Sequence, residues 1–456
     1  MTAIKVPLFD RWSATGREVA VVGLGKSGVS ATLLLRSLGM PVYASDSESG
    51  PSFEAWAQTL RDARAHVDLG GHDLNRIGRA AAVVVAPGVP PNVPALEAAR
   101  CAGLDIHAEV DIGFVALKGT RCIGITGTNG KTTTTSLVAH VLSRAGLRAE
   151  TAGNIGRPLC EVARSNDAPE WLALELSSFQ LHDAPNLRPS MGVLTNLAPN
   201  HLDRYATLDE YYGDKALLFR NAEPSSFWVT NGDDPAVEKM SRSVAGARAR
   251  FSIEDRADAW YDRTGRQLML GGSVLLPRSE LQLLGNHNVA NALAAALVAS
   301  HAGCPIERIA EGLRSFRAIP HRVEPIREVN GVLWINDSKS TNITSTEVAV
   351  AAVDRTFVLL LGGRHKGEPY TRLVKPLRER CRAVVAYGEA GPLIVKDLGS
   401  SLTVVPAQSF TDVLATAREL ARPGDAVLLS PACSSYDMFR NYEERGERFR
   451  AVVETL

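Results

Sequence analysis

One short stretch constrains the fold of this chain more than any other: residues 126–133 read Thr-Gly-Thr-Asn-Gly-Lys-Thr-Thr. The β-branched run before it, residues 122–125, predicts a buried strand, and the pattern after it predicts a helix to about Arg144. Its two glycines let the backbone curl so that several N–H groups face one anion, and the helix N-terminus adds partial positive charge. The stretch therefore predicts a phosphate-binding loop in an α/β fold.

This phosphate loop (residues 126–133) is a variant, because the strict pattern GxxxxGK[ST] requires Gly where the chain has Ile125. Lys131 offers a point charge to the β- and γ-phosphates of a nucleotide, and the Thr132 hydroxyl can ligate Mg²⁺. The alternative is a structural Gly-rich turn, although Gly-Lys-Thr directly after a strand is unusual in such a turn. The residues that we expect to contact ATP here are Gly127, Thr128, Asn129, Gly130, Lys131, Thr132 and Thr133.

Short β-branched runs alternate with helical patterns along the whole chain, which is typical of parallel α/β sheets. The 456 residues exceed what one hydrophobic core usually organises. We expect three domains, over residues 1–115, 116–317 and 318–456, of which the first is a Rossmann-like unit and the second contains the phosphate loop. The expected strands are residues 19–22, 42–45, 82–86, 122–125, 172–176, 191–195, 333–336, 356–361, 383–387 and 426–430.

Composition excludes some classes of function. Lys plus Arg (50) balances Asp plus Glu (50), so no overall positive field exists to hold nucleic acid or an anionic membrane. The apolar runs are too short to span a bilayer, and residues 1–16 lack the apolar core of a signal peptide. The six cysteines are scattered without metal-binding spacing, as in reduced thiols of a cytosolic protein. We therefore expect a cytoplasmic protein.

A second glycine-rich turn, Gly23-x-Gly25-x-x-Gly28, fits the dinucleotide fingerprint, and Asp46 stands at the end of the following strand. By itself this pattern indicates NAD, but GxGxxG alone is weak because the same turn serves any pyrophosphate. A nucleotide-sugar diphosphate fits the same helix end and acidic ribose partner, and the phosphate loop downstream favours phosphate transfer. NAD binding and a purely structural turn stay open as alternatives.

Several motifs occur together in a fixed order. They are residues 126–133, 174–180 (Leu-Glu-Leu-Ser-Ser-Phe-Gln), 201–204 (His-Leu-Asp-Arg), 285–291, 320–322 (Pro-His-Arg), 336–339 (Asn-Asp-Ser-Lys) and 429–433 (Leu-Ser-Pro-Ala-Cys). In this order they resemble the Mur ligase family over essentially the whole chain. The C-terminal motifs look like those of its D-glutamate-adding members.

The resemblance implies a UDP-binding Rossmann-like domain, a central ATP-binding domain and a C-terminal glutamate-binding Rossmann-like domain. It also implies a reaction in peptidoglycan precursor synthesis, and hence a part in cell shape and division. ATP would phosphorylate the carboxylate of UDP-N-acetylmuramoyl-L-alanine, and the amine of D-glutamate would displace phosphate to form an amide. ATP and two Mg²⁺ ions are the implied cofactors, and we expect a monomer.

Family positions assign the catalytic and metal-binding roles. Lys131, Glu175, His201 and Lys215 match catalytic residues, and Thr132, Glu175 and His201 match metal ligands. Glu175 ends an apolar run, where an unpaired carboxylate is costly. Lys215 matches a lysine that many Mur ligases carbamylate, and desolvation by its neighbours would lower its pKa and leave an amine able to take up CO₂. Without the resemblance, His201 reads as a loop histidine and Lys215 as a surface lysine.

The resemblance also assigns the ligand contacts. Further ATP contacts are Asn291, Arg322 and Asp337. Contacts to the UDP-linked substrate are Leu24, Lys26, Ser27, Asp46, Gly88, Asn154, Ser177 and Ser178. Glutamate contacts are Lys339, Thr341, Lys366, Ser435 and Tyr442. The chain departs from its relatives at Glu48, where an arginine is known near the uracil, at Asn200, where Asp is common, and at Tyr442, where some have Phe.

Other functions remain to be separated by experiment. An L-glutamate-adding ligase, or a ligase of another UDP-muramoyl peptide, is the near alternative. A folyl-polyglutamate-type ligase would share the phosphate loop without the UDP-type N-terminal part. An NAD-dependent oxidoreductase would bind its cofactor at Gly23–Gly28 and ignore ATP, and a non-catalytic scaffold would bind ATP without turnover.

Overall fold

The computed structural model of the chain describes residues 7–200 and 204–456. The chain forms two compact units: the first comprises Met1–Arg278 with Ala290–Leu313, and the second comprises Ser279–Val289 with Arg314–Leu456. In each unit most strands pair in parallel and helices connect successive strands. The predicted α/β class is confirmed, whereas the boundaries at residues 115 and 317 stay a prediction.

The N-terminal part of the first unit is a parallel sheet of order β3-β2-β1-β4-β5. Its elements are α1 (Pro7–Ala14), β1 (Val19–Val22), α2 (Lys26–Ser37), β2 (Val42–Asp46), α3 (Pro51–Asp62), β3 (His66–Leu69), α4 (Leu74–Gly78), β4 (Val83–Val85), α5 (Pro94–Cys101), β5 (Ile106–Ala108) and α6 (Glu109–Ala116). The strand order reverses beside β1, where open parallel sheets bind ligands at their carboxyl ends. The predicted Rossmann-like arrangement is confirmed.

The central part of the first unit is a sheet of order β14-β13-β12-β11-β10-β9-β6-β8-β7. Its elements are β6 (Arg121–Thr126), α7 (Lys131–Arg144), β7 (Ala149–Gly153), α8 (Leu159–Arg164), β8 (Trp171–Glu175), α9 (Ser178–His182), β9 (Met191–Leu194), α10 (Leu208–Ala216), β10 (Phe227–Asn231), α11 (Pro235–Ser241), β11 (Ala247–Ser252), β12 (Ala259–Asp262), β13 (Gln267–Leu270) and β14 (Ser273–Pro277). Because β8 and β9 flank β6 in parallel, the ends of all three strands meet at the phosphate loop.

Two sheet edges depart from the parallel pairing that the sequence pattern indicates. Strands β12, β13 and β14 pair antiparallel, and their connections are short turns that include Arg266 and Gly271 at positive φ. Such turns are too short for the crossover that parallel strands require. In the second unit, Asn330 and Gly331 form another tight turn at positive φ, as expected for an Asn-Gly hairpin.

Two helices follow the central sheet, α12 (Asn286–His301) and α13 (Ile306–Ser315). The second unit contains a sheet of order β15-β16-β20-β17-β18-β19, in which only β15 is antiparallel to its neighbour within the described residues. Its elements are β15 (Glu324–Val329), β16 (Val332–Asn336), α14 (Ile343–Ala352), β17 (Phe357–Gly362), α15 (Val374–Leu377), β18 (Cys381–Tyr387), α16 (Gly391–Leu398), β19 (Val404–Pro406), α17 (Phe410–Leu420), β20 (Ala426–Leu429) and α18 (Tyr442–Thr455). Strand β20 lies between β16 and β17, so the loops after these strands share one edge.

Helix α6 packs tightly against α8 within the first unit. A Cβ atom at Gly113 would lie 2.8 Å from the backbone of Leu159 and Cys160, so this position requires glycine. Glu109 is fully buried beside it, and its Oε1 accepts a hydrogen bond from the Cys160 amide (2.7 Å). Its Oε2 has no partner among the described residues. Burial raises the pKa of Glu109 to about 7, so this side chain titrates near neutral pH.

Within residues 7–200 and 204–456, no helix combines the length and the apolar character needed to cross a bilayer.

Candidate active site

The phosphate loop connects β6 to α7 in the conformation that its glycines allow. Gly127 and Gly130 have φ values of 143° and 80°, and a Cβ at Gly127 would lie 2.0 Å from Thr195 Oγ1. Helix α7 begins at Lys131, directly after Gly130. The Nζ of Lys131 donates hydrogen bonds to the carbonyls of Gly127 (3.0 Å) and Thr128 (2.9 Å). The predicted strand-loop-helix context is confirmed, and its lysine folds back over the loop.

The segment after β9 holds this loop in place. The Asn129 amide donates to Asn196 Oδ1 (2.9 Å), and Asn196 Nδ2 donates back to the Asn129 carbonyl (3.0 Å). The Thr195 hydroxyl donates to the same carbonyl (2.7 Å), and the Thr128 amide donates to the Asn196 carbonyl (2.9 Å). Sequence reasoning missed Thr195 and Asn196. A usable signal was present, since both polar residues directly follow β9, the strand beside β6.

Lys215 is buried under the phosphate loop. It lies on α10, which Thr207 caps, and its side chain is 1% exposed. Its Nζ donates to the Gly127 carbonyl (2.7 Å) and lies 4.7 Å from the centre of the Tyr211 ring. Burial, assisted by the nearby charge of Lys131, lowers the pKa of Lys215 to about 6. The amine is therefore mostly neutral at pH 7, as its aromatic and aliphatic neighbours led us to expect.

Glu175 ends β8 one strand away from the loop, opposite Ile125. It is 3% exposed, and its Oε1 accepts a hydrogen bond from Asn154 Nδ2 (2.8 Å). Its Oε2 is buried without a hydrogen-bond partner among the described residues. An orphaned carboxylate oxygen in such a place is costly unless a cation binds it. Glu175 is therefore not a solvated surface charge, and it fits the predicted role of a metal ligand.

The described residues contain no cluster of three or more His, Cys, Asp or Glu side chains able to hold a metal ion. Mg²⁺ commonly uses one or two protein carboxylates together with substrate phosphates, and Glu175 offers one such carboxylate. Thr132, which is also a predicted metal ligand, lies in the first turn of α7. His201 lies outside the described residues.

A cavity of about 640 Å³ opens at the carboxyl edge of the N-terminal sheet. Its lining contains five of the residues predicted to bind the UDP-linked substrate: Lys26, Ser27, Asp46, Gly88 and Asn154. Leu24 is buried outside the lining. Its amide donates to Asp46 Oδ2 (2.5 Å), while the Glu48 amide donates to Asp46 Oδ1 (2.9 Å). Asp46 thus joins two loops of the cavity, and its predicted ribose contact stays a prediction.

Ser177 and Ser178 begin the short helix α9 beside Glu175. The Ser177 hydroxyl accepts from the Gln180 amide (3.2 Å), and Gln180 Oε1 accepts from the Ser177 amide (3.0 Å), which forms a capping box. Gln180 Nε2 is buried without a partner among the described residues. Ser178 is also buried. The contacts of these two serines with the UDP-linked substrate stay a prediction.

Asn291 lies against the phosphate loop, since its Oδ1 accepts from the Thr134 hydroxyl (3.1 Å) and would lie 2.6 Å from a Cβ at Gly130. This contact explains why a side chain is excluded at Gly130. The sequence-based contact of Asn291 with adenine stays a prediction. The side-chain Nδ2 of Asn288 donates to the Leu284 carbonyl (2.8 Å).

Two residues predicted to bind ATP lie in the second unit. Arg322 stands between His321 and Val323, both at positive φ. Asp337 is 3% exposed and accepts from the Val323 amide (3.1 Å) and the Ser430 hydroxyl (2.7 Å). Burial raises the pKa of Asp337 to about 6. Asp337 therefore fixes the unusual backbone beside Arg322, and its ribose contact stays a prediction.

Four of the five predicted glutamate-binding residues form two pairs in the second unit. Lys339 Nζ donates to the Tyr442 hydroxyl (3.0 Å), and Lys366 Nζ donates to the Thr341 hydroxyl (3.3 Å). Ser435 is buried, and its carbonyl accepts from the amides of residues 438 and 439. Cations and hydroxyl groups thus occur together, as carboxylate binding requires.

Sequence reasoning missed Arg445, which is fully buried on α18. Its guanidinium donates to the Ser338 hydroxyl (3.0 Å) and carbonyl (2.8 Å) and to the Cys433 carbonyl (3.2 Å). It therefore links the loops that carry Lys339 and Ser435. The pattern of a charged helix gave no reason to expect a buried arginine.

Comparison with known proteins agrees with this arrangement along the chain. Residues 17–108 match the Mur ligase MurD-like N-terminal domain, residues 125–299 match the Mur ligase middle domain, and residues 321–433 match the Mur ligase glutamate ligase domain. The chain belongs to the Mur ligase family. The resemblance inferred from the motifs is confirmed, as is the three-domain α/β fold that it implied.

Several relatives of this Mur ligase match over nearly their whole length. Proteins named UDP-N-acetylmuramoylalanine--D-glutamate ligase are 37% identical in Solibacter usitatus (97% of this chain, 98% of the relative) and 39% identical in Salinibacter ruber (96% and 98%). Among solved structures, MurC of Thermotoga maritima aligns with a TM-score of 0.60 at 20% identity (96% of this chain, 99% of that one). MurF of the same organism, in complex with ADP, aligns with a TM-score of 0.58 at 18% identity (91% and 95%). These structures are similar in fold.

Proposed function

We propose that this Mur ligase joins D-glutamate to UDP-N-acetylmuramoyl-L-alanine through an amide bond, at the expense of ATP. The observation that carries the proposal is the position of Asn154. Its side chain lines the cavity beside the Gly23–Gly28 turn and also donates to Glu175, which neighbours the phosphate loop through β8 and β6. A substrate held in the cavity would therefore extend toward the site of phosphate transfer. The names of the full-length relatives support the same reaction.

The chemistry explains why a phosphate loop is needed. A carboxylate is a poor acylating agent, so the terminal carboxylate of the muramoyl-alanine substrate must first attack the γ-phosphorus of ATP with loss of ADP. The glutamate amine then attacks the acyl carbon, the bond to the phosphate oxygen breaks, and the amine loses a proton. We assign the amides of the phosphate loop and the charge of Lys131 to binding the phosphates and stabilising the transferred group.

The first step brings a carboxylate against ATP, and their negative charges must be neutralised. Mg²⁺, when bound, would supply this neutralisation, and Thr132 with the orphaned oxygen of Glu175 would hold it. A second ion, with His201 as ligand, belongs to the same proposal. Asn154 would keep the carboxylate of Glu175 in position by its hydrogen bond.

We assign to Lys215 a carbamate that adds a negative charge beneath the phosphate loop. Its buried amine would attack CO₂, form a C–N bond and release one proton. The low pKa of Lys215 supports this assignment, because only the neutral amine is nucleophilic. The carbamate would place a negative charge at the end of this side chain and could support the metal site.

In the second unit, we assign Lys339 and Lys366 to the two carboxylates of glutamate, with Thr341, Ser435 and Tyr442 as hydrogen-bonding partners. Arg322 would bind phosphate, and Asp337 would bind the ribose of ATP. One chain carries all proposed groups, so a monomer suffices. We propose that the reaction takes place in the cytoplasm, where ATP and UDP-linked precursors are found.

A phosphate-release assay tests this function. The purified protein receives ATP, Mg²⁺ and UDP-N-acetylmuramoyl-L-alanine, together with D-glutamate, L-glutamate or another amino acid. We expect rapid release with D-glutamate and formation of the corresponding amide by mass spectrometry. Release with L-glutamate alone would assign the near alternative, and release with neither isomer would refute the proposed specificity.

A further inference from the structure

The cavity of the N-terminal sheet changes in chemical character along the strand edge. At β1 its lining consists of the glycine turn with Lys26, which suits a pyrophosphate. At the ends of β2 and β3, which are the next strands in the sheet, the lining contains Glu48, Phe53 and His72. Carboxylates disfavour phosphate at this outer side, whereas an aromatic ring and an imidazole suit a flat heterocycle.

His72 is held firmly in this lining. Its Nδ1 lies 2.9 Å from the Ser45 hydroxyl, and the residues on either side are anchored as well. The Gly71 amide donates to the Asp46 carbonyl (3.0 Å), and the Asp73 amide donates to the Tyr43 hydroxyl (2.8 Å). Within residues 7–200 and 204–456, the other ring nitrogen, Nε2, makes no hydrogen bond. The imidazole is thus fixed by one nitrogen, and its second nitrogen remains able to bind a ligand.

His72 is suited to bind an uncharged group of a ligand, because its imidazole favours the neutral form. Burial lowers the pKa of His72, and the charge of Asp46 opposes this effect more weakly. A neutral imidazole has one donor and one acceptor nitrogen. It can therefore form a hydrogen bond with the carbonyl or imide edge of a base without attracting phosphate.

Phe53 supplies an apolar surface beside this imidazole. It lies in the first turn of α3, and its ring packs edge-to-face with Trp56, at 5.6 Å between ring centres. This contact restricts the ring at the wall of the cavity. An aromatic ring held in this way can stack on a nucleobase.

We propose that His72 and Phe53 select the uracil base of the nucleotide-linked substrate, with Phe53 stacking on the base and His72 bonding to its polar edge. The proposal rests on the proposed function, because it requires a UDP-linked substrate. It adds two specificity-determining residues in the part of the cavity where Glu48 replaces an expected arginine. The phosphates would lie at Lys26 and the glycine turn.

Calorimetry with His72→Ala and Phe53→Leu tests the proposal, with UDP, CDP and inorganic pyrophosphate as ligands. We expect each substitution to raise the Kd for UDP about tenfold, as for the loss of one favourable contact. The affinity for pyrophosphate, which has no base, should stay unchanged. His72→Ala should also reduce the preference for UDP over CDP. Unchanged UDP affinity in both variants, or an equal loss for pyrophosphate, would overturn the proposal.

The assay distinguishes a failure of this inference from a failure of the proposed function on which it rests. A wild-type protein that does not bind UDP would contradict the proposed function itself, whereas UDP binding unaffected by the substitutions contradicts only the base-selecting role. His66→Ala is the matched control, because His66 is exposed on β3 and lies outside the cavity lining. In turnover, KM for the UDP-linked substrate should rise while kcat stays the same. If His72→Ala fails to fold, His72→Asn, which can still bond Ser45, carries the same expectations.

Discussion

Lys131 and Lys215 donate hydrogen bonds to the same atom, the carbonyl oxygen of Gly127, at 3.0 and 2.7 Å. One lysine comes from the start of α7 and the other from α10. Burial, and secondly the repulsion between two ammonium groups at one acceptor, lower the pKa of Lys215. The charge next to the phosphate loop therefore depends on whether Lys215, which is distant in sequence, is protonated, neutral or modified.

Replacement of Lys215 tests its proposed modification. We expect Lys215→Ala to abolish acyl-phosphate formation and added short carboxylates, such as acetate or formate, to restore part of it by occupying the vacated space. Phosphate release with each added acid measures this rescue. Lys239→Ala, on the exposed face of α11, is the control and should retain wild-type turnover. Full activity of Lys215→Ala without any added acid would exclude a catalytic carbamate.

Substitution of Glu175 tests the assignment of its orphaned oxygen to Mg²⁺. Glu175→Gln can keep the hydrogen bond from Asn154 but loses the charge, so we expect phosphate release to fall at least about a hundredfold. UDP binding should be unchanged. Turnover measured against Mg²⁺ concentration checks this, with Glu170→Gln as control because Glu170 forms only a partly exposed ion pair with Arg121. Unaltered Mg²⁺ dependence would remove Glu175 from the metal site.

The reciprocal amide pair between Asn196 and Asn129 predicts a specific loss of ATP affinity. Asn196→Ala removes both side-chain hydrogen bonds from the phosphate loop, and we expect KM for ATP to rise about ten- to thirtyfold. KM for the UDP-linked substrate should change little. Asn221→Ala is a matched control, since it also loses two side-chain bonds, to the carbonyls of Pro185 and Leu187. Equal effects of both substitutions on KM for ATP would indicate a general loss of stability.

The raised pKa of Glu109 predicts how the free energy of unfolding depends on pH. Because burial raises its folded-state pKa from 4.5 to about 7, the native protein binds more protons than the unfolded chain between these values, and its stability falls as pH rises through this window. Glu109→Gln should remove this contribution, so its stability relative to wild type should increase by about 3 kcal/mol from pH 4.5 to 7 and then level off.

Denaturant unfolding at several pH values checks this prediction. Glu170→Gln is the control, because that side chain forms a partly exposed ion pair with Arg121. A constant difference between Glu109→Gln and wild type across the range would contradict the pKa assigned to Glu109.

Much of the fold could be predicted because its signals are local. The phosphate loop and the turn at Gly23 stand between strand and helix patterns, and the buried runs in β6, β17 and β20 occur where expected. The antiparallel edges were missed because a hairpin strand such as β13 resembles any other short apolar run. The turn residues Asn330 and Gly331 carried the missing information.

The candidate site was predicted less completely because its supporting contacts are not local. Lys131 and Glu175 could be assigned from their motifs. The hydrogen bonds between Asn196 and the phosphate loop, in contrast, depend on β9 lying beside β6 in the sheet. His72 and Arg445 have no motif at all. Their positions follow from loops and helices brought together by tertiary packing, which periodicity along the chain does not encode.

The acyl-phosphate step is the central claim of this account, and an isotope-transfer measurement tests it most directly. UDP-N-acetylmuramoyl-L-alanine labelled with ¹⁸O in its terminal carboxylate is incubated with the protein, ATP, Mg²⁺ and D-glutamate, and the released phosphate is analysed by mass spectrometry. The account predicts that each phosphate carries one ¹⁸O from the carboxylate, because that oxygen leaves with phosphorus when the amine attacks. Amide formation with unlabelled phosphate would contradict it.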